Sequence, residues 1–221
     1  MVNIDTWMEG FLSRLKETFG PRLLFLGLQG SYGRGEANED SDIDVVCVLD
    51  RVDLADLDTY RTLVRGMPEG EKACGFLCGA EELKRWPEYD LCSVVRDTRP
   101  LFGSWEGLLP PLGRADLARG VAIGASGLYH AAVHTYLYGG RERWADFLRK
   151  AHKSAFFLLR DCHELRTGEQ VRTRRELLPR LGGEEKAILA YGLAPEGEKE
   201  AAFARLIAWA GRLLGENFTQ E

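Results

Sequence analysis

The sequence lacks the features of a membrane protein and of a disulfide-rich protein. Its 221 residues contain no apolar run approaching about 18 residues, so no membrane-spanning segment is expected. Its five cysteines do not form two matched close pairs, which argues against a zinc site. The first residues have no signal-peptide pattern. Together these absences predict a cytoplasmic protein with reduced thiols.

Basic residues are not in excess. The net charge is −5, and residues 1–114 carry 13 Lys and Arg against 20 Asp and Glu. Residues 115–221 carry 16 against 14. Proteins that grip long nucleic acid usually present a basic surface, so such a partner is not expected. The acidic first half suits a metal site and a cationic substrate.

Two aspartates begin an apolar segment that we predict to be a strand over Ile43–Leu49. Because alternate side chains of a strand point to the same face, Asp42 and Asp44 should project together. Two carboxylates on one face repel each other and need a cation. Hard oxygen ligands suit Mg²⁺, which also takes ligands from substrate phosphates. Asp42 and Asp44 are therefore our predicted metal ligands and catalytic residues.

A glycine-rich turn precedes these aspartates and follows a predicted strand over Leu23–Leu28. Glycines permit unusual dihedral angles and close backbone approach. A helix beginning near Ser31 would direct its free amide groups toward an anion. The sequence thus predicts a nucleoside triphosphate site formed by Gly30 and Ser31, with Arg34 as a further contact.

Other phosphate- and metal-binding motifs fit this segment less well. A Walker loop needs a lysine, which is absent between Gly30 and Asp44. A dinucleotide-binding loop needs a third glycine where Asn38 stands, and a calcium loop needs a glycine where Val45 stands. An acidic turn with solvated aspartates remains as the nonfunctional alternative.

The segment resembles the DNA polymerase beta-like nucleotidyltransferase superfamily. The resemblance rests on Gly30-Ser31, ten intervening residues, and Asp42-Ile43-Asp44. Between these two motifs, the residues Gly33-Arg34-Gly35-Glu36-Ala37 are most similar to those of the bacterial minimal and antibiotic nucleotidyltransferases. The resemblance implies Mg²⁺-dependent transfer of a nucleotidyl group from a nucleoside triphosphate, with ATP expected, to a hydroxyl group. It is strong over residues 22–50 and loose over residues 51–103.

The resemblance also implies a third carboxylate on the strand after the two aspartates. Our predicted third strand, 73–78, has Cys74 or Gly75 at that position. Glu71 is our candidate for the missing catalytic acid or base, and Asp90 is an alternative. A base from the helical second half is a further alternative, with three candidates: Glu142, Glu164 and Glu176.

The predicted fold class is an α/β (α+β) nucleotidyltransferase domain with a small mixed sheet, followed by an all-α helical bundle. We place the domains at residues 1–110 and 115–221. In the first, Thr6 and Glu9 predict a helix cap. The pattern predicts a helix over 53–65 with Leu54, Leu57 and Val64 on one side, and a fourth strand over 91–96.

The second half predicts helices from apolar spacing and breaker residues. Glycines within the first of them suggest close helix packing. His130 and His134, one helical turn apart, are expected to pack or lie on the surface. An arginine-rich stretch at 172–180 is expected to be solvated. The predicted helices span 115–138, 141–166, 174–181, 184–191 and 196–217.

We therefore predict a Mg²⁺-dependent nucleotidyltransferase with a small-molecule acceptor, such as an aminoglycoside-type antibiotic, or a protein side chain as acceptor. The alternative is a catalytically weak nucleotide-binding or toxin-antitoxin-type interaction module. The missing third acid favours this alternative, whereas the intact Gly-Ser and Asp-x-Asp motifs oppose it. The sequence does not identify the acceptor, and it does not decide whether the protein forms a homodimer.

Overall fold

The computed structural model describes residues 2–216 and residue 218. The chain divides into two compact units, Met1–Leu112 and Gly113–Glu221. The first contains a small mixed sheet and the second is helical. The predicted fold class is therefore confirmed.

The sheet of the first unit has four strands in the order β3-β2-β1-β4. β1 pairs antiparallel with β2 and with β4, while β2 and β3 are parallel. The bounds predicted for the first two strands are those observed. The strands are β1 Leu23–Leu28, β2 Ile43–Leu49, β3 Ala73–Gly79 and β4 Arg99–Phe102.

Five α-helices accompany the sheet. The predicted cap of the first helix at Thr6 is wrong, because Asn3 caps it by accepting a hydrogen bond from the Thr6 amide at 3.3 Å. The helix therefore begins three residues before the predicted cap would start it. The helices are α1 Ile4–Phe19, α2 Gly30–Arg34, α3 Leu54–Arg65, α4 Ala80–Lys84 and α5 Glu88–Asp97.

The two faces of β2 enter different cores. Ile43 and Val45 pack with the apolar face of α1 in one core. Val46 and Val48 pack in the other core, which contains Leu91 of α5. Alternation along the strand places the Asp44 side chain on this second face. The strand is thus anchored by packing on both faces, with Asp44 at its start.

The predicted fourth strand over Leu91–Arg96 is wrong, because these residues belong to α5. Leu91 is fully buried, and Val94 and Val95 are partly buried at helical spacing from it. Pro87 precedes the helix, and acidic residues occupy its first turn. These are helix-start signals. The fourth strand begins instead at Arg99.

Of the predicted face of α3, Val64 is partly buried against the core, but the other two residues are not. Leu54 and Leu57 are exposed. Asp56 is buried instead, where Arg22 donates two hydrogen bonds to it at 2.7 and 2.8 Å. The same carboxylate completes the capping box of the helix with Asp53. An ion pair distant in sequence therefore sets the orientation of α3.

The second unit is built around a long central helix whose inner side is largely buried. A side chain at Gly124 would overlap Leu158, which confirms close helix packing at that glycine. The predicted end of the last helix at Asn217 lies outside the described residues. No helix in the described part of the chain is long and apolar enough to cross a membrane. The helices are α6 Arg114–Tyr138, α7 Arg141–Thr167, α8 Arg174–Leu177, α9 Gly183–Leu193 and α10 Lys199–Gly215.

Candidate active site

The two aspartates of the motif lie at the amino-terminal end of β2. Asp42 immediately precedes the strand and is exposed, whereas Asp44 is the second residue of the strand and is partly buried. The period of two places both side chains on one side of the sheet. The predicted projection of the pair to one face is therefore compatible with the observed strand.

The backbone of Gly30 lies against the Asp44 carboxylate. A side chain at Gly30 would overlap the Asp44 Oδ2 atom. Gly30 also has φ of 65°, in the left-handed region that other residues rarely adopt. In addition, the Gln29 amide donates a hydrogen bond of 2.7 Å to the Asp44 carbonyl. The glycine-rich turn and the aspartate strand are thus joined in one structure.

The turn itself is the short helix α2. Its backbone is closed by hydrogen bonds from the Gly33 amide to the Gln29 carbonyl, at 2.9 Å, and from the Glu36 amide to the Ser31 carbonyl, at 2.8 Å. The first amides of a helix have no intrahelical acceptor. With only five residues, α2 adds little macrodipole, so any attraction for an anion comes from these amides and the Ser31 hydroxyl.

Arg34 is engaged by carboxylates of its own unit. Its Nη1 atom donates to Asp97 at 2.7 Å, and its Nε atom donates to Glu36 at 3.1 Å. Its side chain is only 4% exposed. The guanidinium therefore holds α2 against the end of α5, a contact that the predicted triphosphate role did not include.

Gln29 makes a second connection between the turn and α5. Its Nε2 atom donates to the Val94 carbonyl at 3.0 Å and to the Thr98 hydroxyl at 2.8 Å. Thr98 is buried and donates in turn to the Val94 carbonyl. The sequence did not predict these contacts, and the strand predicted over 91–96 placed Val94 in the sheet instead of in α5.

The expected third carboxylate is replaced by a thiol. The parallel register of β2 and β3 sets Cys74 beside Asp44. The Cys74 side chain is exposed, in contrast to the buried Cys47 of β2. Glu71 is exposed in the 3₁₀ turn before β3, outside the paired register. Asp90 lies in α5, where it accepts a hydrogen bond from Trp86 Nε1 at 2.5 Å.

Lys72 is a cation near this end of the sheet. It precedes Ala73, which pairs with Ile43, so it lies at the level of Asp42 along the sheet. Its Nζ atom contacts a Glu69 carboxylate oxygen at 2.9 Å and the Glu39 carbonyl at 3.3 Å. The Glu69 carboxylate raises the pKa of Lys72, which keeps it protonated. Lys72 thus ties the start of β3 to the segment between Ser31 and Asp42.

The side chains at this site supply only some of the ligands that a hard divalent cation needs. Asp42 and Asp44 offer carboxylate oxygens, and the glycine at position 30 lets the backbone of the turn lie against the Asp44 carboxylate. Across residues 2–216 and 218, no three His, Cys, Asp or Glu side chains converge on a potential metal position. The site therefore fits an ion that takes its other ligands from water and substrate phosphates.

The candidate bases of the second unit have structural partners. Glu176 accepts hydrogen bonds from the amides of Arg172 and Thr173 at the start of α8. Gln170 donates to Glu164 at 3.0 Å. Glu142 lies 3.8 Å from Arg143.

The other polar features of the second unit also fit a structural role. His130 and His134 are exposed, with ring centroids 6.0 Å apart. In the arginine-rich stretch, Arg180 pairs with Glu169, and Arg174 stacks over Phe156.

Residues 8–104 match the model of the nucleotidyltransferase domain family. The match spans the turn, both aspartates and most of the first unit. No curated protein matches the sequence.

Among solved structures, one similar chain is a spectinomycin adenyltransferase of Enterococcus faecialis, determined with ATP and spectinomycin. The TM-score is 0.59 at 13% identity, over 96% of this chain and 99% of that one. A toxin–antitoxin structure with AMP-PNP has a TM-score of 0.33 at 20% identity, over 58% of this chain and 94% of that one. The likeness to the adenyltransferase shows a shared fold.

Proposed function

We propose that this protein, whose residues 8–104 match the nucleotidyltransferase domain family, transfers a nucleotidyl group from ATP to a hydroxyl acceptor. The observation that carries the proposal is the contact between the Gly30 backbone and the Asp44 carboxylate. That contact joins a turn suited to phosphates to a strand end suited to a cation.

Each residue of the site has a role in this proposal. The Gly30 backbone and the Ser31 hydroxyl bind the triphosphate, and Asp42 and Asp44 hold Mg²⁺. When bound, Mg²⁺ supplies positive charge that stabilises the phosphate oxygens in the transition state. Arg34 supports the triphosphate-binding turn.

The chemistry is an in-line displacement at the α-phosphorus. The acceptor oxygen forms a bond to this phosphorus while the bond from the α-phosphorus to the bridging oxygen breaks, and pyrophosphate leaves. The hydroxyl proton passes to a base. Glu71 is our proposed base, because it is an exposed carboxylate just before the strand that pairs with β2.

A small molecule is the proposed acceptor, with a protein side chain as the alternative. The excess of acidic residues in the first half of the sequence favours a cationic acceptor of the aminoglycoside kind. The shared fold with an adenyltransferase determined with ATP and a small antibiotic supports the same choice.

A nucleotide-binding module without turnover is the second candidate. It is favoured by the register of Cys74 beside Asp44, where a carboxylate would complete a three-acid site. In this version Asp42 and Asp44 bind Mg²⁺ and nucleotide, but transfer is slow or absent.

Pyrophosphate release across an acceptor panel tests the proposal. The panel should contain aminoglycosides, spectinomycin and hydroxyl-bearing proteins, each with ATP and Mg²⁺. We expect release that depends on one acceptor class and is lost in Asp42→Asn and Asp44→Asn. Nucleotide binding without release for any acceptor would favour the module, and absence of nucleotide binding would overturn both candidates.

A further inference from the structure

The end of α5 is attached to the triphosphate-binding turn by two independent side-chain contacts. Arg34 on α2 donates to Asp97 at 2.7 Å, and Gln29 at the start of α2 donates to Thr98 at 2.8 Å. One contact lies at each end of the five-residue helix. The short helix is therefore fixed along its length by one neighbouring segment.

The backbones are also in close contact there. A side chain at Gly33 would overlap the Leu28 carbonyl and come near the Asp97 carbonyl. The room for α2 is thus bounded by β1 on one side and by α5 on another. Small displacements of the α5 end would move the turn.

The ion pair between Arg34 and Asp97 is shielded from water. The side chains are 4% and 15% exposed. Charge-assisted hydrogen bonds in such surroundings are stronger than those on an open surface. Glu36 provides a second carboxylate at 3.1 Å from the guanidinium. Arg34 is therefore held both by the segment that follows α2 and by the end of α5.

We infer that Arg34 and Asp97 are positioning residues for the triphosphate-binding turn, and that Arg34 acts through the turn rather than as a direct triphosphate ligand. This inference rests on the proposed function. The turn carries Gly30, whose backbone must stay against the Asp44 carboxylate for phosphate and cation to be bound together. Loosening the α5 contact is expected to weaken nucleotide binding by displacing this turn.

Calorimetric titration with ATP and Mg²⁺ distinguishes the two roles of Arg34. The variants are Arg34→Gln, Asp97→Asn and the double variant. Positioning predicts that each weakens binding by about tenfold, or about 1.4 kcal/mol, and that the double variant is no worse than either single one. A direct ligand role predicts that Arg34→Gln weakens binding while Asp97→Asn, which removes one carboxylate from the guanidinium and leaves the Glu36 contact, does not.

Controls separate this inference from a general loss of fold. Glu88→Gln removes an exposed carboxylate at the other end of α5 and should leave the ATP affinity unchanged. Thermal unfolding of each variant shows whether it folds. If Asp97→Asn does not fold, Thr98→Val tests the second contact and should weaken ATP binding in the same direction.

The outcomes are distinct. Wild-type protein that does not bind ATP with Mg²⁺ would overturn the proposed function and this inference with it. Wild-type protein that binds ATP, together with folded Asp97→Asn and Thr98→Val variants that bind it equally well, would overturn the inference alone. A lower unfolding temperature with unchanged ATP affinity would assign the ion pair to stability only.

Discussion

Cys74 lies beside Asp44 in the parallel pairing of β3 with β2. Paired residues of neighbouring strands project to the same face, so the exposed thiol is a neighbour of the site carboxylate. The protein therefore presents a sulfur where a third acidic side chain would bring three oxygen donors together.

Replacing this thiol with a carboxylate should strengthen cation binding. In Cys74→Asp we expect Mg²⁺ affinity to rise by about tenfold, which corresponds to about 1.4 kcal/mol. Without the ion, carboxylate repulsion should lower the unfolding temperature. Thermal unfolding with and without Mg²⁺ measures both effects, and Cys74→Ser is the control. An equal effect of Mg²⁺ on the Asp and Ser variants would contradict the placement of Cys74 beside the cation.

Substitution of Gly30 tests the turn, and the same substitution at Gly35 is a matched control. Gly30→Ala should abolish ATP binding because its methyl group would displace the Asp44 carboxylate. Gly35 also has a left-handed backbone, with φ of 71°, but a side chain there meets no neighbouring atom. Because alanine rarely adopts these left-handed backbone angles, each substitution should lower the free energy of unfolding by about 1–2 kcal/mol.

Calorimetry measures the ATP affinity of each of the two glycine variants. Gly35→Ala should bind ATP with Mg²⁺ like the wild type, despite its loss of stability. Equal binding by Gly30→Ala and Gly35→Ala would show that the contact with Asp44 is not required.

Glu71→Gln tests the proposed base. If Glu71 accepts the acceptor proton, kcat should fall by about 10²–10⁴-fold with little change in ATP affinity. The measurement is pyrophosphate release with an acceptor identified from the panel. Glu81→Gln, which removes a surface partner of Lys84, is the control. An unchanged kcat in Glu71→Gln would remove Glu71 from the mechanism.

His152 should make the second unit sensitive to acid. Burial lowers the pKa of His152, and the charge of Arg205 acts in the same direction, although the bond to the Leu148 carbonyl opposes both. Because the unfolded chain then binds the proton more readily, stability is present above the ordinary histidine pKa and is lost as pH falls below about 6.5. Acid should therefore lower the free energy of unfolding of this unit.

Urea unfolding at several pH values measures this loss. His152→Phe, which keeps an aromatic ring beside Tyr191, should show a smaller decrease between about pH 7.5 and about pH 5.5. His130→Gln, at an exposed position, should behave as the wild type. The same pH dependence in His152→Phe would assign the acid sensitivity to other groups.

Local patterns predicted the elements that carry the motif. The apolar runs on either side of the Gly-Ser turn predicted β1 and β2 with their observed bounds. Period-two alternation correctly directed Ile43 and Val45 into one core. These features depend on residues close in sequence.

Features that depend on distant residues were missed. Asp56 is buried because Arg22, on another element, neutralises it, and no pattern within α3 indicates this. The contact of Arg34 with Asp97 joins residues 63 positions apart. The predicted strand over 91–96 lies within α5, whose start after Pro87 was not predicted.

Binding of ATP with Mg²⁺, measured by calorimetry, tests the central claim most directly. Wild-type protein should bind ATP only when Mg²⁺ is present, and Asp42→Asn and Asp44→Asn should each lose that binding. Asp40→Asn, an exposed aspartate of the same loop, should retain it. No binding by the wild type, or equal binding by all four proteins, would contradict the assignment of Asp42 and Asp44 to a metal–nucleotide site.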